Sequence, residues 1–141
     1  GDIETDKIKT ETWHILLESN LTPVLAPLPP APQGHILNTN ADTIASALAV
    51  NLSLYYTVTL IYCFEKNGVL LDVNDELSVV KDLNEKKYQQ LKENKCLFAG
   101  ILPKIDNAFE AINKGVQEVV IGNSAQLPLL INNESGTKIS L

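Results

Sequence analysis

Residues 41–64 read ADTIASALAVNLSLYYTVTLIYCF. The first twelve are rich in alanine, follow Asn40 and carry Asp42 near the front. Asparagine is a good N-cap, and an acid in the first turn complements the helix dipole. They predict a close-packing helix over 41–52. The last eight, 57–64, are mostly β-branched or aromatic and carry no charge, and predict a central strand.

Outward from this unit the same alternation continues. Upstream, Ile8, Trp13, Ile15 and Leu16 fit an amphipathic helix over 6–19. The run TPVLAPL at 22–28 predicts a short buried strand, whose prolines favour an edge or a strand end. The proline-rich 28–34 reads as a loop, and 35–37 as a short strand. Downstream, 68–71 follows a turn, 72–76 is polar, and 79–83 reads as strand or loop. Asn84 caps a charged helix over 84–93. Pro103 suits the first turn of a helix that runs to about Lys114 and stops at Gly115. Residues 118–121 predict a strand, 126–131 a short helix and 137–141 a final strand. Helix and strand alternating in this way predict an α/β fold with a mostly parallel sheet sandwiched by helices.

Composition narrows the function. With 141 residues, 45% hydrophobic and 20% charged, the chain has globular values. Its longest apolar run is far too short for a bilayer, and its first fifteen residues, charged and polar, do not resemble a signal peptide. The net charge of −6 makes nucleic acid a poor partner. A small phosphate ligand is still compatible, because it needs only a local nest of N–H groups, one or two cations and a metal ion. Cys63 and Cys96 are too few for a disulfide framework. With no histidine nearby they suggest no metal site, and they read as reduced thiols of a cytoplasmic protein. The chain has no methionine and starts at Gly1, which leads us to expect a piece of a longer or processed chain.

Four motifs, in order and at matching spacing, then carry a resemblance. Residues 37–49, LNTNADTIASALA, are similar to N-[VIT]-N-A-D-x-x-A. Residues 100–104, GILPK, are similar to G-M-I-P-K. Residues 107–116 resemble the A-x-x-A…G-V stretch that follows, and 136–139, GTKI, resemble G-T-x-[IL]. GDIE at 1–4 resembles the segment that precedes them. This is the pattern of the acetylglutamate kinases, of the amino acid kinase superfamily, and it covers the later half of a family member.

The resemblance implies an ATP-dependent transfer of phosphate, with Mg2+, to the γ-carboxylate of N-acetylglutamate in arginine biosynthesis. It divides the chain into a remnant of the acylglutamate-binding lobe, 1–54, and a nucleotide-binding lobe, 55–141. Asn38 and Asn40 fall where the family binds the acylglutamate. As bare residues they read equally as turn and capping asparagines. Asp42 falls where the family organises its catalytic centre, a role compatible with serving the helix dipole. Lys104 falls on the lysine that meets the transferred phosphoryl group; its bland reading is a solvated surface lysine. A cation in the first turn of a helix is mildly unfavourable, and a bound polyphosphate would offset that. Glu65, Gly68, Gly100 and Asn123 fall at nucleotide-contacting loops, although Asn123 also reads as a plain turn residue. Where many members have L-L-T-D-V-x-G-V-L, residues 60–70 read LIYCFEKNGVL. An aromatic and a longer acid replace the Thr–Asp pair, and Phe64 reads as core rather than an adenine stack.

Two alternatives stay open: N-succinylglutamate as the substrate, and a non-catalytic nucleotide-binding fragment. Homo-oligomerisation, or complementation by an earlier half, would fit either. The family pattern also has a second lysine, glycine-rich turns and a substrate-gripping arginine nearer its N-terminus. All eleven basic residues here are lysines, and there is no Gly-Gly turn. The 141-residue chain alone is therefore expected to give no acylglutamyl phosphate in a hydroxylamine-trapping assay; measurable product would overturn this.

Overall fold

The computed structural model describes residues 8–28 and 39–141. Its elements are α1 (Thr10–Glu18), α2 (Ala41–Leu52), β1 (Thr59–Phe64), β2 (Asp82–Leu83), α3 (Glu85–Glu93), α4 (Leu102–Asn113), β3 (Glu118–Asn123), α5 (Leu127–Ile131) and β4 (Thr137–Ile139). Short 3-10 turns, Ala99–Ile101 and Ser124–Gln126, lead into α4 and α5. Among the described residues no helix is long and apolar enough to cross a membrane.

The helix ends follow local chemistry. The Asn40 side chain accepts the Asp42 N–H at 2.8 Å, and Asn84 accepts the Lys87 N–H at 2.9 Å, each quenching an otherwise orphaned donor. Pro103 occupies the first turn of α4, where its missing N–H costs nothing. The buried face of α4, Ile105, Ala108, Phe109, Ala111 and Ile112, recurs at three- and four-residue spacing. It packs on α2, whose buried Ala47 and Ala49 are small enough to allow close approach, and on β3. Tyr88 ties α3 to α4: its ring stacks on Phe109 at 5.5 Å and its hydroxyl donates to Asp106 at 2.6 Å.

The sheet order is β1-β3-β4-β2. β1 runs parallel to β3, from Thr59↔Glu118 to Phe64↔Asn123, and β2 runs parallel to β4. β3 and β4 are antiparallel, so the sheet is mixed though mostly parallel. The core strand β3 buries Val119, Val120 and Ile121 completely, as a strand covered on both faces does.

Several expectations need correction. Residues 22–28 form no strand and are not buried: Val24 is 93% exposed, and Leu21, Leu25 and Leu28 are also open. A strand exists only when its backbone groups have a neighbouring strand, and Pro23 and Pro27 remove two donors from this one. The stretch 79–83 pairs only at Asp82–Leu83, with one antiparallel bridge between Leu70 and Val79. The predicted strand over 35–37 lies outside the described residues. Cys63 and Cys96 form no disulfide, as expected of free thiols, but both are exposed rather than buried, and the Cys96 thiol donates to the Asn94 carbonyl at 3.6 Å.

Glu118 knots the sheet together. Its carboxylate accepts from Lys138 on β4 at 2.9 Å, Asn133 at 3.1 Å and Thr59 on β1 at 3.3 Å. The Lys138 bond is the chief reason its carboxyl titrates below the ordinary value, with Asn133 and Thr59 adding to it against partial burial. A carboxyl whose pKa is lowered on folding adds stability above its unfolded value, about 4.3. That stability is lost as pH falls through the lowered folded value. The Glu118→Gln variant is therefore expected to be less stable than the parent near neutrality. In urea melts across pH 2.5–6 the difference between the two should shrink towards the acid end.

Candidate active site

α2 and α4 lie side by side, and their first turns are joined by one contact. The Lys104 ammonium meets the Asp42 carboxylate at 2.5 Å. Asn40 sets up the acid, since capping fixes the turn from which Asp42 projects. Pro103 and the preceding 3-10 turn set up the lysine. The pair is only partly open to solvent: the Lys104 side chain is 14% exposed and that of Asp42 is 32%. Lys104 also lies over two rings of β1, with its nitrogen 4.7 Å from the centroid of Tyr62 and 5.8 Å from that of Phe64. Burial pushes the Tyr62 phenol above its usual value. Ser46 partly offsets that, and the charges of Asp42 and Glu110 add to it. Among the described residues the buried Tyr62 hydroxyl completes no hydrogen bond.

This arrangement can hold an anion. The donor for it is the lysine, since the first-turn N–H groups are largely committed: Asp42 to the Asn40 side chain, Thr43 and Ile44 to the Asn40 carbonyl, and Leu102 to Ala99, while Pro103 has none. Among the described residues Asp42 is the hydrogen-bonding partner of Lys104, so one of three ammonium donors is committed and two are left for a ligand.

The loop after β1 lies beyond the pair. Glu65 contributes its carbonyl, which accepts from the Asn123 side chain at 3.3 Å, while its own side chain is exposed. Asn123 also reaches the Asn67 side chain at 3.4 Å and accepts the Ala125 N–H at 3.0 Å, so it acts as a clamp between the loops that follow β1 and β3. Gly68 is pressed against β4: a Cβ there would come within 2.7 Å of the Thr137 hydroxyl. That buried hydroxyl accepts the Val69 N–H at 2.8 Å and anchors the loop. Lys66 pairs with Glu76 at 2.7 Å across the polar turn, which raises the lysine and lowers the acid from their ordinary values.

A narrow cleft of about 10 Å³, lined by residues of this loop from Phe64 to Val73 together with Phe98 and Ile101, opens beside it. It has room for about one water molecule. Its outer wall is the half-exposed Phe98, whose ring lies so close on Gly100 that a Cβ there would sit 2.4 Å from it. A larger polar hollow, about 410 Å³, is lined by Lys81, Asp82, Glu134 and Lys138 among others and shares no lining residue with this cleft or with the Asp42–Lys104 pair.

Of the residues singled out by sequence, Asp42 and Lys104 are brought into contact. Asn40 spends its carboxamide oxygen on the helix cap. Gly68 lines the cleft, Gly100 lies under Phe98, and Glu65 and Asn123 frame the loop from outside. Asn38 lies outside the described residues. The sequence reading missed Tyr62 and Phe98. The signal for Tyr62 was the two-residue period of β1, which puts it on the same face as Phe64. Among the described residues no group of three or more His, Cys, Asp or Glu side chains gathers as a metal site.

The model of the amino acid kinase family matches residues 1–123. The acetylglutamate kinase of Bacteroides fragilis is 44% identical over 139 residues, which cover 99% of this chain and 51% of that enzyme. That of Cytophaga hutchinsonii is also 44% identical, over 99% of this chain and 53% of the enzyme. The chain thus spans about half the length of the curated relatives it matches, as a later portion of such an enzyme would. Among solved structures, smu.665 from Streptococcus mutans UA159 superposes with a TM-score of 0.71 at 30% identity, covering 94% of this chain and 48% of that one. The chain belongs to the amino acid kinase family, and its likeness within that family runs to the acetylglutamate kinases.

Proposed function

We propose that this chain is the later portion of an ATP-dependent kinase that phosphorylates the γ-carboxylate of N-acetylglutamate. Residues 55–141 supply the nucleotide lobe, and 1–54 the adjoining part of the acylglutamate lobe. The observation that carries this reading is the Asp42–Lys104 pair. It sets an ammonium, with two donors uncommitted among the described residues, where the first turns of two helices meet, beside a cleft walled by the loop after β1.

The acceptor carboxylate is already ionised at neutral pH, with an ordinary pKa of about 4.3. It needs no general base. An oxygen of the carboxylate attacks the γ-phosphorus in line. A new P–O bond forms, the bond to the β–γ bridging oxygen breaks, and ADP leaves with the electron pair. The protein's task is positioning and charge neutralisation. Lys104 lies against the phosphoryl oxygens, and Asp42 holds the lysine in place. Asn38 and Asn40 belong to the acylglutamate side in this reading, and Glu65, Gly68, Gly100 and Asn123 to the nucleotide side. Gly68 and Gly100 act by letting side chains close over the cleft rather than by contact of their own.

Mg2+ fits as a passenger of the nucleotide, because it keeps most of its waters and is commonly held by substrate phosphates with one or two carboxylates. Asp42 at the pair and the exposed Glu65 on the loop after β1 are the carboxylates this reading offers it. The residues missing from the family pattern imply that turnover depends on a companion half, and a homo-oligomer or such a complement is the assembly we expect. The cytoplasm, where ATP is available, is the matching compartment.

The test uses the chain assembled with its earlier half, assayed with both acetyl- and succinylglutamate. Lys104→Ala is expected to lower kcat by roughly 10²–10³-fold, the scale on which one preorganised charge-stabilising group acts. Asp42→Asn should lower it less and leave the nucleotide KM nearly unchanged. Full turnover by Lys104→Ala would sink the assignment, and a preference for the succinyl substrate would correct the acyl group alone.

A further inference from the structure

The ion pair leaves a problem unsolved. Lys104 carries its charge on a flexible four-carbon stem, from the end of α4 where the dipole repels a cation. A single carboxylate fixes how far the ammonium lies from Asp42 but not the direction in which its remaining donors face. Something else must restrict it.

We propose that Tyr62 and Phe64 form an aromatic cradle that positions the Lys104 ammonium, a role that rests on reading Lys104 as the cation that meets the transferred phosphoryl group. The two residues alternate along β1 and so share a face. Their ring centroids lie 4.7 and 5.8 Å from the nitrogen, within the range of cation–π attraction. Asp42 and the two rings together give the ammonium three points of contact. The rings have no lone pair to accept an N–H, so they hold the ammonium more weakly than an additional carbonyl or carboxylate would and can yield its donors to phosphoryl oxygens.

The platform itself is rigid. β1 is held by parallel pairing to β3, with Tyr62 opposite Ile121 and Phe64 opposite Asn123. Tyr62 is 2% exposed. Burial, with the charges of Asp42 and Glu110, keeps its phenol neutral, so it is the ring face and not a phenolate that meets the cation. Phe64 has a second duty, since it also lines the narrow cleft. One ring thus forms a wall shared by the cation and the pocket beside it. At this point of the loop the sequence departs from the Thr–Asp pattern, and the cradle gives that departure a purpose.

The test compares Tyr62→Phe, which keeps the ring, with Tyr62→Leu and Phe64→Leu, which remove one. It uses the 141-residue chain. Two readouts report on Lys104: the ring-current shift of its ε-methylene protons by NMR, and its rate of acylation by a small reagent, followed by peptide mass spectrometry. The parent and Tyr62→Phe are expected to share an upfield ε-methylene signal and slow labelling. Tyr62→Leu should lose most of that shift and label about five- to tenfold faster, the factor corresponding to a cation–π contact of ordinary strength. Phe64→Leu should fall between. If Tyr62→Leu loses its dispersed spectrum, the half-buried Phe64→Leu decides by the same readouts. Identical behaviour of the ring-keeping and ring-removing variants overturns the cradle. ATP with Mg2+ is added in a parallel arm and should slow labelling of the parent. Loss of that protection with the ring-current signature intact counts against the kinase reading instead, so the two failures are told apart.

Discussion

A lysine ammonium in the first turn of a helix, mostly withdrawn from water, is stable only if something answers its charge. In this protein Asp42 answers it, and much of the architecture is arranged around that answer. Taking one partner from a fully buried pair leaves the other charge uncompensated, at about 3–5 kcal/mol; the partial exposure here reduces that figure but not its sign. The pair therefore acts as a fastener between α2 and α4 as well as a chemical group. The alanines of α2 and the apolar face of α4 bring the helices close enough for it to close, and the cap at Asn40 aims the acid.

A site held this way is preorganised in the sense that matters for phosphoryl transfer. The acceptor needs no deprotonation, so the protein contributes mainly fixed charge and fixed geometry. Its loops are arranged accordingly. The strand-end loops after β1 and β3 are cross-linked by Asn123, and the first of them is tied to β4 through Val69 and Thr137. These bonds immobilise backbone around the cleft without occupying it. Phe98, folded over Gly100, and Val73 are walls of the cleft that stand nearly half-exposed.

Legibility from sequence followed locality. Helix α2 was read to the residue because a cap, a first-turn acid and a run of small residues are all signals within its own span. The same holds for α3 and for Pro103 at the start of α4. The strand expected over 22–28 failed for the opposite reason: its apolar residues are real, but a strand is a relation to a neighbour, and sequence pattern cannot supply one. The antiparallel turn into β4 was missed likewise, since a short helix before a strand suits either direction. At the site, the motif resemblance singled out Asp42 and Lys104 from residues 62 positions apart, and geometry then joined them. Tyr62 went unnoticed because an aromatic in a strand reads as core, which it also is.

The place of β4 within the sheet has a consequence for how the chain is made. Among the described residues β2 pairs with β4 alone, and β4 lies between it and β3. A two-residue strand has no stability without that partner, so β2 waits, already synthesised, until residues 137–139 have left the ribosome. Val69, whose N–H is satisfied by Thr137, waits with it. The loop beside the cleft thus settles late, although it is encoded 68 residues before the hydroxyl that anchors it. Long-range closure of this kind slows folding and prolongs the time in which unpaired edges are open to association. Between the synthesis of Leu83 and that of Ile139, the backbone groups of β2 have no strand among the described residues to pair with.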